Sequence, residues 1–131
     1  YFVIYKRGKL RMKVLVVDDS AAQRLILKSV VQNFDKDLDV IDLADGTQAL
    51  KELKNGGVSL VFSDINMEPM SGIELVNECK ALDIDPVFAF VTSHLTDTMK
   101  EKADSIGVKY FITKPITQDK IEEVLKEVLH A

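Results

Sequence analysis

The run Leu60-Val61-Phe62-Ser63-Asp64, followed by Ile65-Asn66-Met67-Glu68-Pro69-Met70-Ser71-Gly72, decides how the rest of the chain is read. Its first half is a short apolar β-type run that ends abruptly in a carboxylate. Its second half has loop chemistry (Asn, Pro, Ser and Gly), and the Pro breaks any helix. An acid at the point where a buried strand opens into a loop stands at the carboxyl end of a sheet. Open α/β folds place their sites there. A single Asp can equally begin a turn, so the other strands have to decide.

Upstream, Val14-Leu15-Val16-Val17 is continuously apolar and mostly β-branched, as expected of a strand buried on both faces. It ends in Asp18-Asp19-Ser20. Ser20 suits an N-cap, and Leu27, Val30, Val31 and Phe34 then recur at helical spacing. Residues 39–44 read as a short strand. Asp45-Gly46 turns that strand into a helix through Ala49, Leu50 and Leu53, stopped at Asn55-Gly56-Gly57. Residues 58–63 form the third strand and 72–82 a helix broken by Asp83-Ile84-Asp85-Pro86. Residues 87–91 form a fourth strand that leads out through Thr92-Ser93-His94. Leu95, Met99, Ala103 and Ile106 mark the next helix, closed by Gly107. Residues 108–112 make a fifth strand ending in Thr113-Lys114-Pro115, and Ile121, Val124, Leu125, Val128 and Leu129 a last amphipathic helix. The expected fold class is α/β: (βα)5, doubly wound, with a parallel five-stranded sheet, right-handed crossovers and helices on both faces.

With 131 residues, one domain with a real core is expected. Its 47% hydrophobic and 29% charged residues are ordinary for a soluble globular protein. A net charge of −4 argues against direct nucleic-acid binding, which needs a basic face. No apolar run approaches the roughly 20 residues of a membrane span, so no membrane insertion is expected. The leading residues place their apolar members ahead of Lys6, Arg7 and Lys9, the wrong order for a signal peptide. A lone Cys79, with Ile73, Val76 and Leu82 at helical spacing, reads as a packed small hydrophobe and fits a reducing cytoplasm. Residues 1–11 read as a loose extension outside the core, with Met12 as an initiator candidate, and 12–131 as the domain.

Three carboxylates fall at strand exits: Asp18 and Asp19 after the first strand, Asp64 after the third. A doubly wound sheet usually sets these strands side by side, which gathers the acids into one pocket. Like charges crowded together are unfavourable unless something positive compensates. Oxygen ligands without a nearby His or Cys favour a hard cation, and Mg²⁺ is the natural choice. The fourth exit adds a hydroxyl, Thr92, and the fifth an ammonium, Lys114. Acids, a hydroxyl and a Lys around a metal can bind a phosphoryl group, and a carboxylate can accept it.

With Val16-Val17-Asp18-Asp19-Ser20, the loop from Asp64 to Gly72, Val91-Thr92-Ser93 and Lys114-Pro115 in place, the sequence resembles a receiver domain of two-component signalling. That is the response-regulator family typified by the chemotaxis regulator, and the resemblance covers about residues 12–131. It implies a flavodoxin-like strand order 2-1-3-4-5. It implies Asp64 as phosphoacceptor, and Asp18 and Asp19 as Mg²⁺-binding acids with the backbone carbonyl of Asn66. Thr92 resembles the switch hydroxyl, Lys114 the phosphate-binding lysine before a cis bond to Pro115, and Phe111 the mobile aromatic, often Tyr. Tyr110 should point to the opposite face by alternation. His94 occupies a variable position near the pocket mouth. Pro69 comes one place later than usual, which leaves the shape of that loop open.

The resemblance implies a phosphorylation-controlled switch, not an enzyme beyond self-catalysed phosphotransfer and dephosphorylation. The donor would be a histidine kinase, a phosphotransfer protein or a small phosphodonor. The output would be a downstream target protein or effector domain reached through the face of the fourth helix, fifth strand and fifth helix. A homodimer through that face is a further option. A haloacid-dehalogenase-like phosphatase would want a second Asp two places after the nucleophile, where Asn66 stands. A flavodoxin-like FMN carrier would need a phosphate loop where Asp18 and Asp19 repel phosphate. A degenerate receiver acting only as a binding module does not explain the intact acid set.

Overall fold

The computed structural model describes residues 4–6 and 9–129. In chain order the elements are strands β1 (Ile4–Lys6), β2 (Lys9–Arg11) and β3 (Lys13–Val17), helix α1 (Ala21–Phe34), β4 (Asp39–Leu43) and α2 (Gly46–Lys54). They continue with β5 (Val58–Ser63), α3 (Gly72–Ala81), β6 (Val87–Thr92), α4 (Asp97–Ser105), β7 (Tyr110–Thr113) and α5 (Gln118–Leu129). Five strands form one sheet in the order β4-β3-β5-β6-β7, which is 2-1-3-4-5 for those five. All four pairings are parallel.

Alternation along the strands sorts the core into two layers. Val14, Val16, Leu60, Phe62, Ala89, Val91 and Ile112 face α1 and α5, where Leu27, Val31, Ile121 and Leu125 close over them. Leu15, Val17, Val61, Phe88 and Phe90 face the other way, against Ala49, Leu53, Leu75, Val76 and Ala103 of α2, α3 and α4. Each fully buried Leu or Phe in these layers stabilises the fold by about 1.5–3 kcal/mol. Cys79 lies in the second layer, 1% exposed, and burial pushes its thiol up to about 11. It is a packing residue, as its spacing suggests.

Helix starts carry the expected caps. Ser20 accepts from the Gln23 N–H, Asp45 from the Gln48 N–H, and Ser71 forms a reciprocal capping box with Glu74. Two boundaries differ from the sequence reading by about two residues, and others by one. Helix α4 begins at Asp97 rather than near Leu95, because the Thr96 hydroxyl caps it by accepting from the Met99 N–H. Strand β7 begins at Tyr110 rather than 108. The Val108 and Gly107 N–H groups are still committed to the Ala103 and Asp104 carbonyls, a Schellman closure of α4. Gly107 sits there at φ +93°, where a side chain would be strained.

The leading segment also differs from the loose extension expected of it. β1 and β2 pair antiparallel, Ile4 with Arg11, Tyr5 with Leu10 and Lys6 with Lys9, as a two-stranded sheet separate from the main one. The remainder of the 1–11 expectation, on residues 1–3 and 7–8, falls outside the described residues. So does the end of the domain at residues 130–131.

Candidate functional site

The sheet order makes β3 the turning point of the topology: the chain leaves it for β4 on one side and returns to β5 on the other. A crevice opens at the carboxyl ends of strands at such a point. Backbone ladders extended past the strands set the level of each side chain. The Asp64 N–H donates to the Val17 carbonyl at 3.0 Å, so Asp64 stands beside Asp18. The Asp18 N–H donates to the Leu43 carbonyl, and the Lys114 N–H to the Thr92 carbonyl at 2.8 Å.

Three of the residues singled out in the sequence meet there directly. The Lys114 ammonium lies 3.0 Å from Asp18 Oδ2 and 3.1 Å from Asp64 Oδ2. All three side chains are largely shielded from water, at 15%, 3% and 12% exposed. Burial works against the charge on Lys114, but hydrogen bonds to Asp18 and Asp64 outweigh it and hold its pKa above the ordinary lysine value. The second oxygens are also engaged: Asp18 Oδ1 accepts from the Ser20 N–H at 2.8 Å, and Asp64 Oδ1 from the Asn66 N–H at 3.3 Å.

Asp19 is exposed at the rim. It completes an acid cluster: Asp18, Asp19 and Asp64 can each present an oxygen within 4.8 Å of the others. This donor set is all oxygen, carries three carboxylates and has a lysine already partnering two of them. It fits a hard divalent cation of the Mg²⁺ kind. Asn66 is exposed on the loop beside it, and a cleft of about 280 Å³ between Asp19, Asn66, Glu68 and Glu74 opens onto the cluster.

Thr92 is buried, 2% exposed, at the end of β6. Its hydroxyl is engaged by the His94 backbone, donating to the carbonyl and accepting from the N–H at 3.4 Å each. The His94 side chain is exposed. Phe111 is half-buried in the second core layer, edge-on to Phe90 at 6.4 Å between ring centroids, with the Lys100 ammonium 5.9 Å from its centroid. Tyr110 packs against the opposite layer, as alternation requires. Peptide bonds before Pro115 and before Pro69 are both cis.

Two contributors were not singled out as site residues in the sequence. Gly72, the first residue of α3, packs directly on the backbone of the acceptor loop: a Cβ there would lie 2.5 Å from the Asp64 carbonyl oxygen. A Gly just after a good N-cap, where most residues are tolerated, was the available signal. Arg24 Nη1 donates to the Asp18 carbonyl at 2.8 Å. Nothing in the spacing marks that contact.

Residues 14–126 match the family model described as the response regulator receiver domain. The chain belongs to the receiver-domain family. A chemotaxis protein CheY homologue of Campylobacter jejuni is 35% identical over 124 residues, covering 90% of this chain and 92% of that protein. The chemotaxis protein CheY4 of Vibrio cholerae superposes with a TM-score of 0.82 at 25% identity, over 90% of this chain and 98% of that one. The receiver domain of Saccharomyces cerevisiae Ssk1, crystallised with the histidine phosphotransfer protein Ypd1, superposes with a TM-score of 0.80 at 22% identity. That match covers 90% of this chain and 88% of Ssk1's, and it bears on fold. As a receiver domain, the protein is a phosphorylation-controlled signalling switch of two-component signal transduction rather than an enzyme of metabolism. The phosphatase, flavin-carrier and binding-module readings are not favoured.

Proposed function

We propose that Asp64 is the phosphoacceptor of this receiver domain and that Lys114 and Thr92 read its state. The observation that carries this is the single ammonium shared between Asp18 and Asp64 at adjacent strand ends. An Asp64 oxygen attacks the donor's phosphorus, the bond from phosphorus to the donor atom breaks, and an acyl phosphate remains. Lys114, already hydrogen-bonded to Asp64, is in place to accompany the negative charge as it moves onto the phosphoryl oxygens. Asp18, Asp19, Asp64 and the Asn66 carbonyl would hold Mg²⁺, whose charge offsets that of the transferring group. Water attacking the same phosphorus breaks its bond to the Asp64 oxygen and releases inorganic phosphate, leaving a free carboxylate and a self-resetting switch.

The phosphoryl oxygens offer Thr92 a stronger acceptor than the His94 carbonyl it now contacts at 3.4 Å. Moving the hydroxyl to them vacates space beside β6 and β7, into which Phe111 can turn from its half-buried position. The α4-β7-α5 face then changes shape, including the groove lined by Asp97, Lys100, Lys109 and Phe111. A downstream protein, an effector domain or a second copy of the chain reads that change. The donor is a histidine kinase or phosphotransfer protein. Leu25 and Ile26, 67% and 46% exposed on α1, give such a donor an apolar surface to cover. Residues 12–131 act as the receiver, with 1–11 outside it. The setting is the cytoplasm, and among the described residues no helix is long and apolar enough to cross a membrane.

The test is chemical. Incubation with a small phosphodonor and Mg²⁺ is expected to add one acid-stable, alkali-labile phosphoryl group per chain, seen by intact mass. A chelator should abolish it. A metal-independent adduct, or one stable to alkali, would contradict the assignment.

A further inference from the structure

Every polar group of Asp18 is held. Its N–H goes to Leu43, Oδ1 takes the Ser20 N–H, Oδ2 takes Lys114, and its carbonyl takes Arg24 Nη1 at 2.8 Å. The first is the sheet ladder, the second a local turn and the third the site lysine. The fourth comes from α1, from a side chain that touches neither Asp64 nor Lys114 among the described contacts. The same guanidinium places Nε 3.6 Å from Asp42 Oδ2, while Lys28 binds the other Asp42 oxygen at 3.0 Å. Asp42 directly precedes Leu43, the residue that accepts the Asp18 N–H. Arg24 thus ties α1, β4 and the end of β3 together, with its side chain only 19% exposed.

The Asp18 carbonyl is one end of the Asp18–Asp19 peptide unit. That unit is planar, so holding the carbonyl also orients the Asp19 N–H and the start of the Asp19 backbone. Asp19 needs this more than its neighbours do. Among the described residues no hydrogen bond or ion pair holds its carboxylate, yet it stands within reach of Asp18 and Asp64. We propose that Arg24 is a positioning residue for cation binding: it fixes the Asp18–Asp19 peptide so that the Asp19 carboxylate faces the acid cluster. This rests on the reading of that cluster as the Mg²⁺ site.

Charge and positioning make opposite demands. A guanidinium bonded to the Asp18 carbonyl adds positive charge next to the cluster and repels an incoming divalent cation, so if its charge were what mattered, removing it would tighten Mg²⁺ binding. If its hold on the peptide is what matters, removing it weakens binding, by the 10–100-fold typical of groups that orient metal ligands. The sign of the change therefore separates the two.

The experiment is an amide-resolved NMR titration of the full chain with Mg²⁺ at fixed ionic strength, with thermal unfolding in the absence of Mg²⁺ run alongside. Arg24→Met keeps the stem on α1 and removes the donor. It is expected to raise the Mg²⁺ dissociation constant at least about tenfold while the apo chain stays folded at the titration temperature. Arg24→Lys should recover most of the affinity. Asp42→Asn, which weakens the ion pair but leaves the Arg24 donor, should change it by less than about threefold on the scale of a half-exposed pair. Unchanged or tighter binding in Arg24→Met would overturn the proposal and leave the metal site standing. Unfolding of apo Arg24→Met would make the contact structural and would also overturn it. A wild-type chain that binds no Mg²⁺ at Asp18, Asp19 and Asp64 would overturn both.

Discussion

Asp64→Asn is expected to take up no phosphoryl group at all under conditions that label the wild-type chain fully. The amide oxygen is a far poorer nucleophile than a carboxylate and forms no acyl phosphate that could persist. The loss should come from chemistry rather than from unfolding. Lys114 keeps its 3.0 Å bond to Asp18 when Asp64 is neutralised, so no ammonium is left buried without a partner. The cost to stability should be no more than about 1.5–3 kcal/mol, that of one hydrogen bond to a charged group. Intact-mass measurement of both chains with Mg²⁺ and a small phosphodonor checks the first part, and thermal unfolding the second. Stoichiometric labelling of Asp64→Asn would place the acceptor elsewhere.

Gly72→Ala should be the most damaging single methyl in the chain's functional half. Its Cβ would stand 2.5 Å from the Asp64 carbonyl oxygen, 3.0 Å from Phe90 Cε1 and 3.2 Å from the Ile65 Cα. Two of those neighbours are backbone and cannot swing aside. The Gly72 N–H also donates to the Ile65 carbonyl at 2.8 Å, so the start of α3 cannot simply withdraw. The acceptor loop has to move. Overpacking of this kind costs roughly 1–3 kcal/mol, more than the few tenths that Ala returns near a helix end. A displacement of Asp64 by about 1 Å would also slow phosphorylation by up to about 10²-fold. Unfolding temperature and phosphorylation rate measured together test both effects. A variant matching the wild type in both would mean that the loop has slack which this packing denies.

Most of the fold was legible because the sheet is parallel and buried on both faces. Runs such as Val14–Val17 and Leu60–Phe62 are apolar without interruption, and such runs need a helix layer on each side. The candidate site was legible for a related reason: polar residues at the ends of buried strands have few structural excuses, and the structure places Asp18, Asp64, Thr92 and Lys114 there. Less legible were features that depend on backbone geometry rather than residue type. Val108 is as apolar as any strand residue, yet its N–H closes α4. Arg24 looks like one more surface charge on α1 until the Asp18 carbonyl is seen to face it. The pairing of Ile4–Lys6 with Lys9–Arg11 has a weak signal in the sequence, two residues including Gly8 between short extended runs.

Asp42 adds a modest pH dependence apart from the site. Its hydrogen bond to Lys28 holds its carboxyl below the ordinary value of 3.8. A depressed folded pKa means stability that is present above that value and is lost as pH falls through and below it. Partial exposure and salt keep the effect small.

The proposed switch depends on coupling between Asp64 and the α4-β7-α5 face. The direct measurement is NMR of the Thr92 methyl and the Phe111 ring, with Mg²⁺, before and after saturation with beryllofluoride as a phosphoryl mimic. Both signals are expected to move together to a second state, the Lys100 contact with the Phe111 ring to change with them, and Asp64→Asn to show neither shift. If the amides of Ile65 and Asn66 report full occupancy while Thr92 and Phe111 stay where they are, the pocket is loaded but not coupled, and the switch described here is wrong.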